Sequence, residues 1–409
     1  MTGFETTPPN RPADRLVTVF GGSGFLGRHV VRALAKRGYR IRVAVRRPDL
    51  ALFLQPLGKV GQIVAMQANL RYPDSIVRAV TGADTVINLV GILQESGRQS
   101  FSQLQTEGAG AIAKAAAGIG ASLVHVSAIG ADASSPSLYA KSKALGEAQV
   151  FSTCPDAVVF RPSIVFGPGD SFFNRFASLA RALPVLPLAG AGTRFQPVFV
   201  GDVAEAIARA VDGRVPGGKV YELGGPETET LEGLVRYMLE TTMRRRAVVS
   251  LPLPAARLQA RLLEAVDTLT LGLLPDSLKL TRDQVTLLQT DNVVSEAAKT
   301  EGRTIEALGI APTAHVAVVV LLAVGAAMLA FQTSNQSQLL DLADPDYQGR
   351  VQGLVMLSFG AFGIAALPLG LLADVVGLRW TLSGMGVGVI AVVAAYAVAG
   401  RRRSAKIHR

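Results

Sequence analysis

Three groups of residues in this chain have the types and spacing that chemistry needs. In the stretch SLYAKSKALGE, Tyr139 and Lys143 stand four apart. On a helix, positions i and i+4 share a face. An ammonium beside a phenol lowers the phenol pKa, which would fit Tyr139 as a general acid or base. Lys143 could also hold a ribose. Ser127 in HVSAIGA closes a strand-like run, where its hydroxyl could meet a substrate oxygen.

The second group is glycine-rich. VTVFGGSGFLGRHVVRAL satisfies both GxxGxxG and GxGxxG, directly after a strand-like run and at the start of a helix-like one. Such glycines permit a tight turn and let backbone N–H groups approach a pyrophosphate at a helix N-terminus. The cradle is therefore assigned to Gly21, Gly22, Ser23, Gly24, Phe25, Leu26 and Gly27. The third group decides which dinucleotide fits. RIRVAVRR ends in Arg46 and Arg47, and Arg46 lies 19 residues beyond Gly27, near where a ribose-binding acid is expected. No Asp or Glu occurs between Gly21 and Arg47. A guanidinium pairs well with a 2′-phosphate, so NADP(H) is favoured over NAD(H).

Elements that could position these groups alternate along residues 16–162. The runs LVTVF, RIRVAV, QIVAMQ, TVINLVG, SLVHVS and AVVFRP read as strands. Residues 24–36, 101–117 and 139–151 read as helices. That order implies an α/β fold, a doubly wound parallel Rossmann sheet whose apolar strands are covered on both faces. Residues 163–312 read as a smaller α+β substrate-type lobe, with strands at PVFV and KVYELGG and helices over 203–211 and 231–241. Residues 1–15 are polar and Pro-containing, unlike a secretory signal, and read as a flexible arm.

Composition narrows the function classes. The 409 residues are 49% hydrophobic and only 18% charged. A single cysteine, Cys154, excludes an internal disulfide framework, and four scattered histidines suggest no metal site. The net charge is +10, yet no aromatic-basic interleaving reads as a nucleic-acid surface. Five of the positive charges sit in the last nine residues, RRRSAKIHR, beside apolar sequence, which favours membrane contact. TMRRRAVV and AARLQARLLEAV add basic surface, read first as an ordinary surface helix and second as a membrane-surface or quinone-site element.

Together, GGSGFLG, HVSAIGA, YAKSK, RPSIVFGPGD, FVGDVAEAI and YELGGPE make residues 16–312 resemble the extended short-chain dehydrogenase/reductase superfamily. LTRDQVTLLQTDNVVSEAAKTEGRTIEALGIAPTA points within it to an atypical branch, the accessory NAD(P)-binding subunits of respiratory complex I and their bacterial relatives. The resemblance implies a structural NADPH beside the quinone-binding arm. It implies that Asn69 and Leu70 approach adenine, with Asn where Asp is usual. Leu89, Val90 and Gly91 would pass the ribose and nicotinamide, and Tyr139, Lys143 and Pro162 would finish that site. Where catalytic relatives often carry Asn in an NVxG segment, this chain has QTEG with Gln105, which places turnover in doubt.

Residues 313–400 are of another character. Uncharged runs at 316–331, 353–373 and 380–400 read as transmembrane helices, the latter two of bilayer-spanning length. They resemble the closing helices of a major facilitator superfamily transporter, but three helices cannot build two six-helix halves. They are read as an anchor, a fusion remnant or a docking piece for another membrane protein. The basic tail at 401–409 and the cofactor domain both belong on the cytoplasmic side. Two true spans, with the first segment interfacial or re-entrant, reconcile the two. The chain is thus expected at the inner (cytoplasmic) membrane, touching lipid, complex I or another membrane protein, and a quinone. Two functions remain: an accessory NADP(H)-binding subunit, or an active NADP-dependent oxidoreductase or epimerase-type enzyme using Tyr139 and Lys143 on an apolar substrate such as a quinone or isoprenoid.

Overall fold

A computed structural model describes residues 12–97, 99–269 and 281–310, which all belong to one compact unit. The chain runs β1 (Leu16–Phe20), α1 (Phe25–Lys36), β2 (Arg40–Val45), β3 (Ile63–Gln67), α2 (Pro73–Val80), β4 (Thr85–Asn88), α3 (Gly108–Gly118), β5 (Ser122–Val126), α4 (Leu138–Thr153) and β6 (Val158–Pro162). Beyond Pro162 come β7 (Val165–Phe166), α5 (Phe172–Ala182), β8 (Val185–Ala189), β9 (Arg194–Phe195), β10 (Val198–Phe199), α6 (Val200–Val211) and β11 (Lys219–Leu223). The remaining elements are β12 (Glu229–Thr230), α7 (Leu231–Thr241), β13 (Ala247–Leu251), α8 (Leu253–Leu269), α9 (Arg282–Leu287) and α10 (Glu296–Thr300).

Seven strands form one sheet in the order β3-β2-β1-β4-β5-β6-β11, and every pairing in it is parallel. Parallel strands need crossovers, and these carry helices to both faces. Val17 and Val19 of β1 face one core with Val30, Val31 and Leu34 of α1 and Val203 and Ile207 of α6. Phe20 faces the other, with Ile76 of α2 and Ile112, Ala113 and Ala116 of α3. Burying each such large apolar side chain contributes about 1.5–3 kcal/mol, so these two layers fix the sheet. Thr18 is buried in β1, and its hydroxyl donates to the Ala79 carbonyl of α2 at 3.0 Å.

Beyond Pro162 the chain both completes this sheet, through β11 and α6, and builds a second core. There Leu186, Leu188 and Phe195 pack on Leu231, Leu234, Val235, Met238 and Leu239. The small pairs β7–β10, β9–β12 and β8–β13 frame it.

Three local expectations change. The helix expected at 101–117 opens with a π-helical stretch, Ser102–Glu107, before α3. The strand expected over TVINLVG stops at Asn88, whose side-chain oxygen accepts the Val90 N–H at 3.0 Å and turns the chain out of the sheet. PVFV supplies only Val198–Phe199, because Val200 already begins α6. The apolar runs of 313–400, the tail 401–409 and residues 1–11 lie outside the described residues. Among the described residues no helix is long and apolar enough to cross a membrane.

The turn after β1 is a tight joint of the fold. A Cβ on Gly27 would collide with the Gly21 carbonyl oxygen and lie 2.6 Å from the Gly22 Cα. Gly27→Ala is therefore expected to destabilise the chain by about 1–3 kcal/mol through overpacking, read from urea unfolding. Wild-type stability in that variant would contradict this packing.

Candidate cofactor and active site

All seven strands are parallel, so their C-terminal ends share one edge, and the strand order reverses between β1 and β4. In such sheets, ligands bind in the crevice at this switch point. The loops after β1, β2, β3, β4, β5 and β6 carry the residues singled out above.

Gly21 has φ +77°, and a Cβ there would sit 3.3 Å from the Leu89 carbonyl carbon. A Cβ on Gly22 would press on Val43 at 2.8 Å. The glycines thus draw the turn against β2 and the loop after β4. Gly24 caps α1 with no side-chain hydrogen bond, leaving the N–H groups of the first turn without helix partners. An open, glycine-lined N-terminus of this kind fits a pyrophosphate.

Arg46 and Arg47 lie exposed beyond β2. Arg47 pairs with Asp49 at 2.9 Å, whereas Arg46 makes no ion pair among the described residues. Sequence reading treated the two arginines alike, but the acid that separates them stands two positions past Arg47. Beyond β3, the Asn69 side-chain oxygen accepts the Arg71 N–H at 3.2 Å, and Leu70 packs where a Cβ on Gly108 would meet it at 2.8 Å. Leu89 to Gly91 follow β4, and Pro162 ends β6 with its carbonyl accepting the Ile129 N–H at 3.1 Å.

Tyr139 and Lys143 sit on α4 as the spacing required. The Lys143 ammonium lies over the Tyr139 ring, 6.0 Å from its centroid, and donates to the Val126 carbonyl at 3.2 Å. A Cβ on Gly91 would come within 3.1 Å of the Lys143 Nζ, so the loop after β4 and the lysine are in contact. Burial lowers the Lys143 pKa to about 8, against the raising effect of Glu147. The expected depression of the Tyr139 phenol is not found. Burial pushes its pKa up to about 12, since desolvation of a phenolate outweighs a lysine whose proton is already engaged by a carbonyl. Ser127 is buried, and its Oγ has no hydrogen-bond partner in the structure. Such an orphan suits a ligand atom.

The structure places Gln105, already noted in QTEG, and brings several further residues to the site. Gln105 lies buried in the π-helical stretch, and its amide is used at both ends. Nε2 donates to the Ile92 carbonyl at 2.6 Å, and Oε1 accepts from Ser142 Oγ at 2.7 Å. A Cβ on Gly146 would strike the Gln105 carbonyl, so α4 crosses the π turn at van der Waals distance. Asn88 and His125 pair in the sheet, Nδ2 to Nδ1 at 3.1 Å. Burial, then the Lys143 charge, lowers the His125 pKa to about 3, so the ring stays neutral. Arg161 and Glu147 form a bidentate pair at 2.8 and 2.6 Å. Asp283 caps α4, accepting from Ser137 Oγ at 2.9 Å and from the Leu138 and Tyr139 N–H groups at 2.7 and 3.2 Å. Ser137 before the helix was a visible cap signal, but a carboxylate 145 positions away was not.

A switch-point crevice with an open glycine cradle, and a Tyr–Lys pair across from it, define a dinucleotide-binding protein of the reductase and epimerase type. The chain belongs to the NAD dependent epimerase/dehydratase family, which it matches over residues 17–224. It is 36% identical over 289 residues to the mitochondrial NADH dehydrogenase (ubiquinone) 1 alpha subcomplex subunit 9 of Arabidopsis thaliana, covering 69% of this chain and 72% of that protein. It is 32% identical over 291 residues to a ceramide reductase of Caulobacter vibrioides, covering 70% and 88% respectively. Triphenylmethane reductase of Citrobacter sp. complexed with NADP(H) shares the fold, with a TM-score of 0.54 and 16% identity over 70% of this chain and 94% of that one.

Lys143 gives the site a pH signature. Its folded pKa, near 8, lies below the ordinary 10.5. Between these values the unfolded chain binds a proton that the folded chain does not, so stability rises with pH. Tyr139 acts oppositely, but only above about pH 10, where the unfolded phenol begins to ionise. The wild type without dinucleotide should therefore gain stability from pH 8 to 10 relative to Lys143→Met, read by urea unfolding. Parallel profiles for the two proteins would contradict it.

Proposed function

We propose that this chain holds NADP(H) as a structural element and serves as an accessory protein of a respiratory NADH dehydrogenase complex. The observation that carries the first half is the commitment of Gln105. With Nε2 on the Ile92 carbonyl and Oε1 on Ser142, its amide is spent on locking α4 to the π turn. Lys143 is itself tied to the Val126 carbonyl, so both polar groups are engaged in holding the fold. The relatedness to subunit 9 of the Arabidopsis NADH dehydrogenase supports the second half. The uncharged runs in 316–400 and the basic tail support a place at the cytoplasmic face of the inner membrane, next to lipid and the quinone-reducing arm.

A second reading, an active reductase, has its own support. Tyr139, Lys143 and Ser127 stand at one sheet edge, the Ser127 Oγ is unpartnered, and a ceramide reductase is among the relatives. When bound, the cofactor supplies a hydride. Tyr139, protonated at neutral pH, would then deliver a proton to the carbonyl oxygen of an apolar substrate, with Ser127 orienting that oxygen. The discriminating experiment is NADPH oxidation by the purified full-length chain with quinones and long-chain ketones. The accessory reading expects no oxidation above the level of Tyr139→Phe. Turnover that Tyr139→Phe abolishes would establish the second reading instead.

The preference for NADP(H) rests on Arg46, which, unlike Arg47, makes no ion pair among the described residues. A charge-assisted pair to a 2′-phosphate is worth about 1.5–3 kcal/mol, or roughly 10–100-fold. Arg46→Ala should weaken NADPH binding by about that factor and leave NADH binding unchanged, read by fluorescence titration. Equal loss for both dinucleotides, or for neither, would contradict the assignment.

A further inference from the structure

The residue after the last glycine of the cradle is Arg28, and its surroundings are unusual for a guanidinium. Its Nε is buried and has no hydrogen-bond partner, and Arg28 makes no ion pair among the described residues. A buried polar group without a partner costs about 1–3 kcal/mol, more when charged, so a fold that keeps one has a use for it. Arg28 stands four residues after Gly24, the cap of α1, on the same helical face. Helical side chains lean toward the N-terminus, a direction that takes Arg28 toward the turn that Gly24 begins. That turn carries the first-turn N–H groups with no side-chain cap.

A second element closes on the same guanidinium. The loop FGPGD follows β7 and turns at Gly167 (φ +148°) and Gly169 (φ +86°). A Cβ on Gly169 would lie 3.3 Å from Arg28 Nη1, so this loop rests against the arginine. The neighbouring Pro168 carbonyl favours the protonated ring of His29, although burial lowers the His29 pKa overall. Two successive residues of α1 thus meet one glycine loop.

We propose that Arg28 is the cationic ligand of the dinucleotide pyrophosphate, reaching over the open N-terminus of α1 and backed by the Gly167–Gly169 loop. The assignment rests on the dinucleotide reading of the cradle. It divides the labour among the arginines: Arg46 addresses the 2′-phosphate at one end, and Arg28 the diphosphate in the middle. Each phosphoryl oxygen pair matches the guanidinium fork, which a lysine cannot reproduce.

The test uses the full-length protein and three probes: NADPH, ADP-ribose and adenosine 2′-monophosphate. ADP-ribose has the pyrophosphate without the nicotinamide, and adenosine 2′-monophosphate has the 2′-phosphate without the pyrophosphate. Arg28→Gln should weaken NADPH and ADP-ribose by about 10–100-fold and leave displacement by adenosine 2′-monophosphate unchanged. Without ligand, Arg28→Gln should melt at or above the wild-type temperature, because it removes an unpartnered buried N–H. A role in holding the fold would show the reverse, a lowered melting temperature with all three probes weakened alike, and that would overturn the proposal. Should Arg28→Gln fail to fold, Arg28→Lys carries the test and must still weaken ADP-ribose relative to adenosine 2′-monophosphate. Binding within twofold of wild type for ADP-ribose overturns the assignment while leaving the cradle intact. A wild type that binds neither NADPH nor ADP-ribose overturns the dinucleotide reading and this assignment with it.

Discussion

The cofactor site depends on how closely the first turn of α1 can approach the end of β1. Gly27 has its Cα against the Gly21–Gly22 backbone, with no room for a methyl group. That contact sets α1 so that its unsatisfied N–H groups face the crevice between β1 and β4. Everything else in the site is measured from there. The β4 loop reaches Gly21 through Leu89, and Gly91 reaches Lys143. A longer side chain at any of these points would push the Lys143 side of the crevice away from the glycine turn.

The second half of the site hangs on α4, which is held from three sides. Its flank lies on the π turn at Gly146, its lysine on the Val126 carbonyl, and its N-terminus on Asp283. The last restraint comes from the segment 281–310, which also runs along the far side of the site. There Asn292 takes the Ser163 hydroxyl at 2.7 Å and donates to the Ile129 carbonyl at 3.1 Å, and the Ser295 N–H donates to Glu222 at 2.7 Å. The stretch of sequence that most resembled a complex I accessory subunit is thus the stretch that braces the Tyr–Lys helix and the loops after β5 and β6. Bracing of this kind suits a cofactor that is held in place.

Much of the Rossmann half was legible because its signals are local. Apolar runs bounded by turns marked all seven strands, although KVYELGG was assigned to the smaller lobe, and the glycine spacing fell at the joint between β1 and α1. The YxxxK pair needed only helical periodicity. What escaped reading depends on distance or burial. The seventh strand, β11, joins the sheet from beyond Pro162, and no local pattern ties KVYEL to β6. Asp283 caps a helix 145 positions upstream. Tyr139 was expected to be a weakened phenol because Lys143 is near, but proximity does not reveal that both groups are desolvated. The pairing of Arg47 with Asp49 was open to inspection, two residues apart, and separates two arginines that the motif had treated as one.

Attachment to a partner complex is open to a single measurement. Membranes solubilised in mild detergent can be run on a native gel, stained for NADH dehydrogenase activity and probed for this chain. The account predicts that the chain migrates in the band with NADH dehydrogenase activity and that NADP(H) can be extracted from that band. Migration as a small species apart from that activity, in membranes whose dehydrogenase remains assembled, would contradict it.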